Sequence, residues 1–280
     1  GKIRSAVIRR SLDLLKRLAT KEMEKYNSFW DEFGNVLKEG LVEDMPNQEK
    51  IARLLRFSST ADAASEQRVS LEDYVSRMKE GQDVIWYVTA ENRKAAENSP
   101  HLEIFRKKGI EVLLMSDRID EWAMGYFNEF DGKKLRSIAK GDVDLDSGKD
   151  GKDDEKQDDA EKDPLLARLS EALSEEVSEV RASQRLTESA SCLVLSEQEL
   201  AMHMRRMLEQ AGQTLPDSKP VLEVNLDHQL LQQVSVIESD EELKDWAELL
   251  FEQAVLAEGG QLPDPAGFVQ RVNRLMFNVG

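Results

Sequence analysis

Three histidines and one cysteine are the residues best equipped for chemistry in this chain of 280 residues, and their spacing keeps them apart. His101, His203 and His228 show neither metal-ligand nor triad spacing, so each reads as a surface or packing residue. Cys192 sits in the apolar run Cys192-Leu193-Val194-Leu195. A reactive thiolate needs exposure and a nearby positive group, so this cysteine reads as a small buried hydrophobe. No GxGxxG and no GxxxxGK loop is present to cradle a phosphate, and no serine carries a nucleophile-elbow motif. These residues imply no catalytic centre. A hydrolase using Cys192 or a serine stays as an alternative that thiol labelling and an esterase screen would test.

The chemistry the spacing does support is binding. In the segment from Gln198 to Glu209, Leu200, Met204, Met207 and Leu208 fall within about 100° of arc on a helix. Unbranched, polarizable Met adapts its surface to many apolar partners. A core stripe would show the same periodicity. An exposed stripe that takes up unfolded polypeptide would cost solubility unless it served binding. Trp122 is a second candidate. Ile119, Trp122, Tyr126 and Phe130 make a helical stripe, which is the pattern of core, but a large aromatic beside Glu121 can equally be an exposed anchor.

The last two helices carry a third surface. Between Glu241 and Glu258, Leu243, Trp246, Leu249, Leu250, Phe251 and Ala254, with further apolar neighbours, cover more than half of the helix circumference. A helix lying on one domain needs a stripe only a little over about 100° wide. The next helix adds Phe268, Val269, Val272, Leu275 and Met276. Two such helices from each of two chains form a four-helix bundle with two-fold symmetry, so a homodimer is expected; a thicker intramolecular core is the alternative.

The elements that position these residues are legible in outline. Helices are expected from Ile3 to Ala19 and from Lys21 to Phe33. Ser70 and Asp73 open a helix that Gly81 ends, and Val84 to Val88 is a strand buried on both faces. Helical material from Glu91 to Lys108 leads to a strand from Glu111 to Met115, giving a parallel pair. A helix from Asp117 to Phe130 follows. Residues 142–163 hold eleven Asp or Glu against four Lys and almost no large apolar residue, which reads as a solvated, flexible linker. Beyond it come strands at Glu176 to Ala182, Cys192 to Leu195 and Val221 to Asn225. Ser239 with Glu242 caps the first terminal helix, and Asp264-Pro265 starts the second. The expected class is α+β with an α/β layer, in two domains, 1–141 and 164–280, joined by 142–163.

Composition narrows the class further. Hydrophobic residues at 40% and charged residues at 33% describe a globular protein with material for real cores. The formal charge of −17 argues against nucleic acid as a partner, and no apolar run reaches membrane-span length. A single cysteine fits a reducing cytoplasm. The opening Gly1-Lys2-Ile3-Arg4 falls inside helical periodicity, which reads as a piece of a longer protein.

Three strings go beyond physical chemistry. They are Ser70 through Thr89, Tyr26-Asn27-Ser28-Phe29-Trp30-Asp31-Glu32-Phe33-Gly34 with Leu37-Lys38-Glu39-Gly40, and Ser116-Asp117-Arg118-Ile119-Asp120-Glu121-Trp122. They closely resemble the heat-shock-protein-90 chaperone family, bacterial branch. The resemblance implies the end of a middle domain and a C-terminal dimerisation domain. It implies client contact at Glu121 and Trp122 and at Leu200, Met204, Met207 and Leu208, dimerisation through the terminal helices, and unfolded clients and cochaperones as partners. It places ATP and Mg in an N-terminal domain not matched here, so no cofactor, metal or catalytic residue is assigned to this chain. Gly125 departs from the larger polar residue expected there. A dimeric adaptor of the same fold, without chaperone activity, is the alternative that aggregation suppression would separate.

Overall fold

A run of four buried side chains, Ile85, Trp86, Tyr87 and Val88, lies inside β2 (Val84–Thr89), the middle strand of a five-stranded sheet. In this computed structural model, which describes residues 2–61, 66–143, 145 and 163–278, the chain forms two compact units, residues 1–96 with 110–137, and 97–109 with 138–280. Twelve α-helices and two small mixed sheets among the described residues make the class α+β. Most of the expected acidic segment 142–163 lies outside the described residues. Of its ends, Asp142 pairs with Arg181 and Asp163 caps the helix that follows.

In the first unit, β2 pairs in parallel with β3 (Leu113–Met115) and with β5 (Lys133–Ser137). The two outer strands, β1 (Ser58–Ser59) and β4 (Glu129–Phe130), pair antiparallel to β3 and β5. The expected parallel β2–β3 pair is present. Its approach is set by α4 (Leu71–Ser76), where the Ser70 hydroxyl accepts from the Asp73 amide and the Asp73 carboxylate accepts from the Ser70 amide. The Tyr74 hydroxyl then donates to the Glu111 carbonyl at 2.7 Å and accepts from the Trp86 amide at 3.1 Å. Burial pushes that phenol up to about 12. α4 ends at Ser76, earlier than the expected stop at Gly81, which instead turns the chain with φ +82°.

Two expected helices are corrected. The stretch from Glu91 to Lys108 is α5 (Arg93–Glu97), a 3-10 turn at Pro100–Leu102, and α6 (Glu103–Lys108), because Pro100 interrupts the ladder. The helix expected from Asp117 to Phe130 is only α7 (Asp120–Met124); Glu129 and Phe130 belong to β4. The cause is Asp131-Gly132, both at positive φ, which forms the two-residue turn of the β4–β5 hairpin. Ahead of the sheet, α1 (Lys2–Lys21) packs on α2 (Met23–Glu43), which runs ten residues past its expected end at Phe33. A third helix, α3 (Gln48–Ala52), completes this layer. Gly34 lets the Trp30 ring lie along α2; a Cβ there would sit 2.8 Å from it.

The second unit is built on β6 (Glu179–Ala182), β8 (Val221–Val224) and β7 (Ser191–Val194), in that spatial order. β6 starts at Glu179, three residues after the expected Glu176. Over this sheet lie α8 (Pro164–Ala172), α10 (Gln229–Ser235) and α11 (Asp240–Ala257), closing a core that includes Leu169, Leu193, Leu222, Leu231 and Leu250. Two charged devices brace it. Glu223, buried in β8, accepts from Arg181, Ser183 and Arg185. The Glu103 carboxylate of α6 accepts from the amides of Thr187, Glu188 and Ser189 and from the Ser189 hydroxyl. Burial opposes its charge, but those four donors hold its pKa below the usual carboxylate value.

Candidate functional site

The segment leading into α7 turns its acids inward and its aromatics outward. Lys38, a buried lysine on the apolar stripe of α2, donates to Asp117 and to Asp120, each at 2.6 Å. Asp120 also accepts from the Asp117 amide at 2.9 Å, and Asp117 accepts from Gln67. Burial pushes Asp120 up; at Asp117 burial opposes, and the Lys38 charge brings the carboxyl down. Glu121 is only 7% exposed and accepts from the Thr89 hydroxyl, at the end of β2, at 2.6 Å. Trp122 is 47% exposed, with the ring of half-exposed Tyr126 6.2 Å away. Of the stripe expected to be core, Phe130 is buried and Ile119 partly so, while Trp122 and Tyr126 face solvent.

The methionine-rich helix is different. It is α9 (Met202–Gln210), starting four residues later than expected, so Leu200 precedes the helix. Met204 is 5% exposed, while Leu200, Met207 and Leu208 are half-buried. The expectation of one uniformly exposed stripe is therefore corrected at Met204. Around it, Arg205 donates to the Pro216 carbonyl at 2.7 Å, and Glu199 accepts from the Ser196 amide and the Ser218 hydroxyl, so the chain before the helix is tied to the chain after it. Met202, off the expected stripe, packs against the core of its unit.

The terminal helices divide their apolar residues between two directions. Leu243, Trp246, Leu249, Leu250 and Ala254 of α11, and Leu275 of α12 (Pro265–Asn278), are buried within the chain. Phe251, Phe268 and Val272 are half-buried against the same core. Arg271 pairs with Glu248 and Glu252, and Arg274 with Asp245, which fixes α12 on α11. That docking leaves Val269 (54% exposed), Met276 (71%) and Phe277 (86%) on the opposite face, with Leu256 of α11 half-exposed. Of the ten residues expected at an interface, Met276 is the one that is open; Val269 and Leu256, part of the same expected apolar surplus, are open as well, and so is Phe277, which was not singled out.

A profile of the family described as Hsp90 protein matches residues 1–279. The chain belongs to the Hsp90 family. It is 54% identical over 276 residues to the chaperone protein HtpG of Legionella pneumophila, covering 99% of this chain and 44% of that protein. It is 52% identical to HtpG of Alkalilimnicola ehrlichii, over 98% of this chain and 42% of that protein. HtpG of Bordetella pertussis is 54% identical, over 98% and 44%. The chain thus spans less than half the length of these Hsp90 relatives, and what it resembles is a bacterial chaperone fragment.

Sequence reasoning passed over Lys38, Thr89 and the Asp117–Asp120 pair. The signal was present: Tyr26, Trp30, Gly34 and Lys38 share the buried face of α2, so a lysine stands where an apolar residue belongs. A buried lysine demands a buried acid. Cys192 is fully buried and burial pushes its thiol well up, so a thiolate nucleophile has no support there. Among the described residues no cluster of His, Cys, Asp and Glu is arranged to hold a metal, and no helix is long and apolar enough to cross a membrane.

Proposed function

We propose that this chain supplies dimerisation and client contact to an ATP-dependent Hsp90-type chaperone. ATP and Mg bind a part of the full-length protein that this chain does not span, and no catalytic residue falls here. On this reading the acidic stretch 142–163 links the expected domains 1–141 and 164–280. The partners are a second copy of the chain, unfolded polypeptides and cochaperones, in the bacterial cytoplasm.

The observation that carries this reading is the face of α12 formed by Val269, Met276 and Phe277. On the helical wheel these three lie within about 100°, on the side turned away from Arg271 and Leu275. A helix docked on one side by salt bridges and apolar packing, and exposing three large apolar side chains around Asn273 on the other, has a second apolar partner to find. Two copies meeting through such faces form a four-helix bundle, which needs to bury at least roughly 1,000 Å² to be stable. The chain should sediment as a dimer at micromolar concentration. Val269→Asp with Met276→Asp should give a folded monomer, whereas Leu250→Asp, in the core, should unfold the unit. A monomeric unmodified chain at that concentration would end the dimer reading.

A further inference from the structure

We propose that Glu121 and Thr89 are positioning residues for Trp122, with Glu121 spent inside the protein instead of touching the client; this rests on the reading of Trp122 as a client contact. α7 is five residues long, too short to hold its own rotation. Its orientation must come from contacts at its base. Successive helical residues are about 100° apart, so the direction of Trp122 is fixed once Asp120 and Glu121 are fixed. Both are. Asp120 is held by Lys38 Nζ and the Asp117 amide, and Glu121 Oε2 by the Thr89 hydroxyl.

The anchor point is stiff. Thr89 closes β2, which has a hydrogen-bonded strand on each side, and Thr89 itself is registered with Met115 of β3. Ala123, Met124 and Phe127 fill the remaining inward directions with apolar packing. What remains outward is Trp122, Gly125 and Tyr126. A rigid aromatic pair can bind an apolar segment of an unfolded chain without first paying for its own ordering. Glu121, adjacent in sequence, is 7% exposed and offers the client almost no surface.

Intrinsic tryptophan fluorescence of the 280-residue chain tests this. Trp30, Trp86 and Trp246 are buried, so acrylamide quenching reports Trp122 selectively. Capture is read in parallel with carboxymethylated α-lactalbumin, a permanently unfolded protein. Thr89→Val keeps the side-chain shape and removes the donor; Glu121→Ala removes the acceptor. Each should raise the quenching constant and weaken capture by roughly two- to tenfold, the range of one hydrogen bond. Glu121→Gln keeps an accepting oxygen and should restore both readouts relative to Glu121→Ala. The proposal is overturned if Thr89→Val moves neither readout. It is equally overturned if Glu121→Gln loses capture as fully as Glu121→Ala while quenching stays at the wild-type value, because the charge itself would then meet the client. Trp122→Ala separates the underlying reading: unchanged capture would remove the client role of Trp122, while the quenching results would still decide whether Thr89 and Glu121 hold it.

Discussion

The segment around α7 and the segment around α9 look alike as sequence, each an apolar stripe beside charged residues, yet the chain treats them in opposite ways. At α7 the charged residues go in and the aromatic goes out. Asp120 and Glu121 are buried while Trp122 is half-exposed. At α9 the apolar residue goes in: Met204 is buried, and Arg205 and Glu199 bind the flanking chain. At α7 a buried counter-charge is available: Lys38 makes it tolerable to bury the acids ahead of Trp122. Periodicity reports that a helix has an apolar side. It does not report which side the rest of the fold leaves open.

The strongest test of the comparison is removal of that counter-charge. Lys38→Met leaves Asp120 buried without its cation, and breaking a buried ion pair from one side costs about 3–5 kcal/mol. Chemical denaturation should show a loss of that size. Adding Asp120→Asn to Lys38→Met should recover part of it, since the uncompensated charge is then gone. If Lys38→Met unfolds at the wild-type denaturant concentration, the lysine is not what permits the inward acids.

Next in size is the methionine pair. Met204→Ser removes buried volume and buries a hydroxyl, for an expected loss of about 2–4 kcal/mol, while Met207→Ser, at a half-buried site, should cost less than about 1 kcal/mol. Equal effects would mean that the two methionines share one environment, and the contrast drawn between the segments would lose its basis. Capture of unfolded protein should follow Met207, Leu208 and Leu200 and should be measured on Met207→Ser, whose fold is expected to persist.

The same residues show what a sequence alone can yield. Strand β2, the capping box at Ser70, the parallel β2–β3 pair and the terminal helices were readable because each rests on a local signal: a β-branched run, a polar pair three apart, a glycine or a proline. The hairpin at Asp131-Gly132 carried such a signal too, and the aromatic stripe running to Phe130 masked it. The site was legible in identity and illegible in orientation. Trp122 and the methionines could be named, but the inward turn of Glu121 depends on Thr89, 32 residues away in sequence, and the burial of Met204 is set by tertiary packing that helical periodicity does not encode. Likewise, the apolar excess of α11 is expected from the sequence to be surplus for a partner, but most of it is absorbed by the chain's own core, and apart from Leu256 the open apolar residues lie on α12.

The smallest expected effect concerns acid. Before α9, Glu199 is hydrogen-bonded by the Ser218 hydroxyl and the Ser196 amide; burial opposes its charge, and those donors with nearby Arg205 bring its pKa below the usual carboxylate value. A carboxylate depressed in the folded state contributes stability above its unfolded pKa and loses it as pH falls through its folded one. The tie across α9 should therefore be intact at neutral pH and weaken below about pH 4.5. At α7 the two acids move in opposite directions: Asp117 is depressed and loses its contribution on acidification, while Asp120 is raised, so its protonation on acidification favours the folded state. The two slopes oppose each other, and α7 should respond less to acid than α9. Amide exchange across residues 202–210 and 120–124, compared between pH 6 and pH 4, measures both segments in one sample, after correction for the intrinsic pH dependence of exchange. Protection should fall more at α9, and Glu199→Gln should remove that pH dependence by removing the titrating group. If α7 loses protection first, the Lys38 cluster is titrating as a simple ion pair and the opposed directions assigned to Asp117 and Asp120 are wrong.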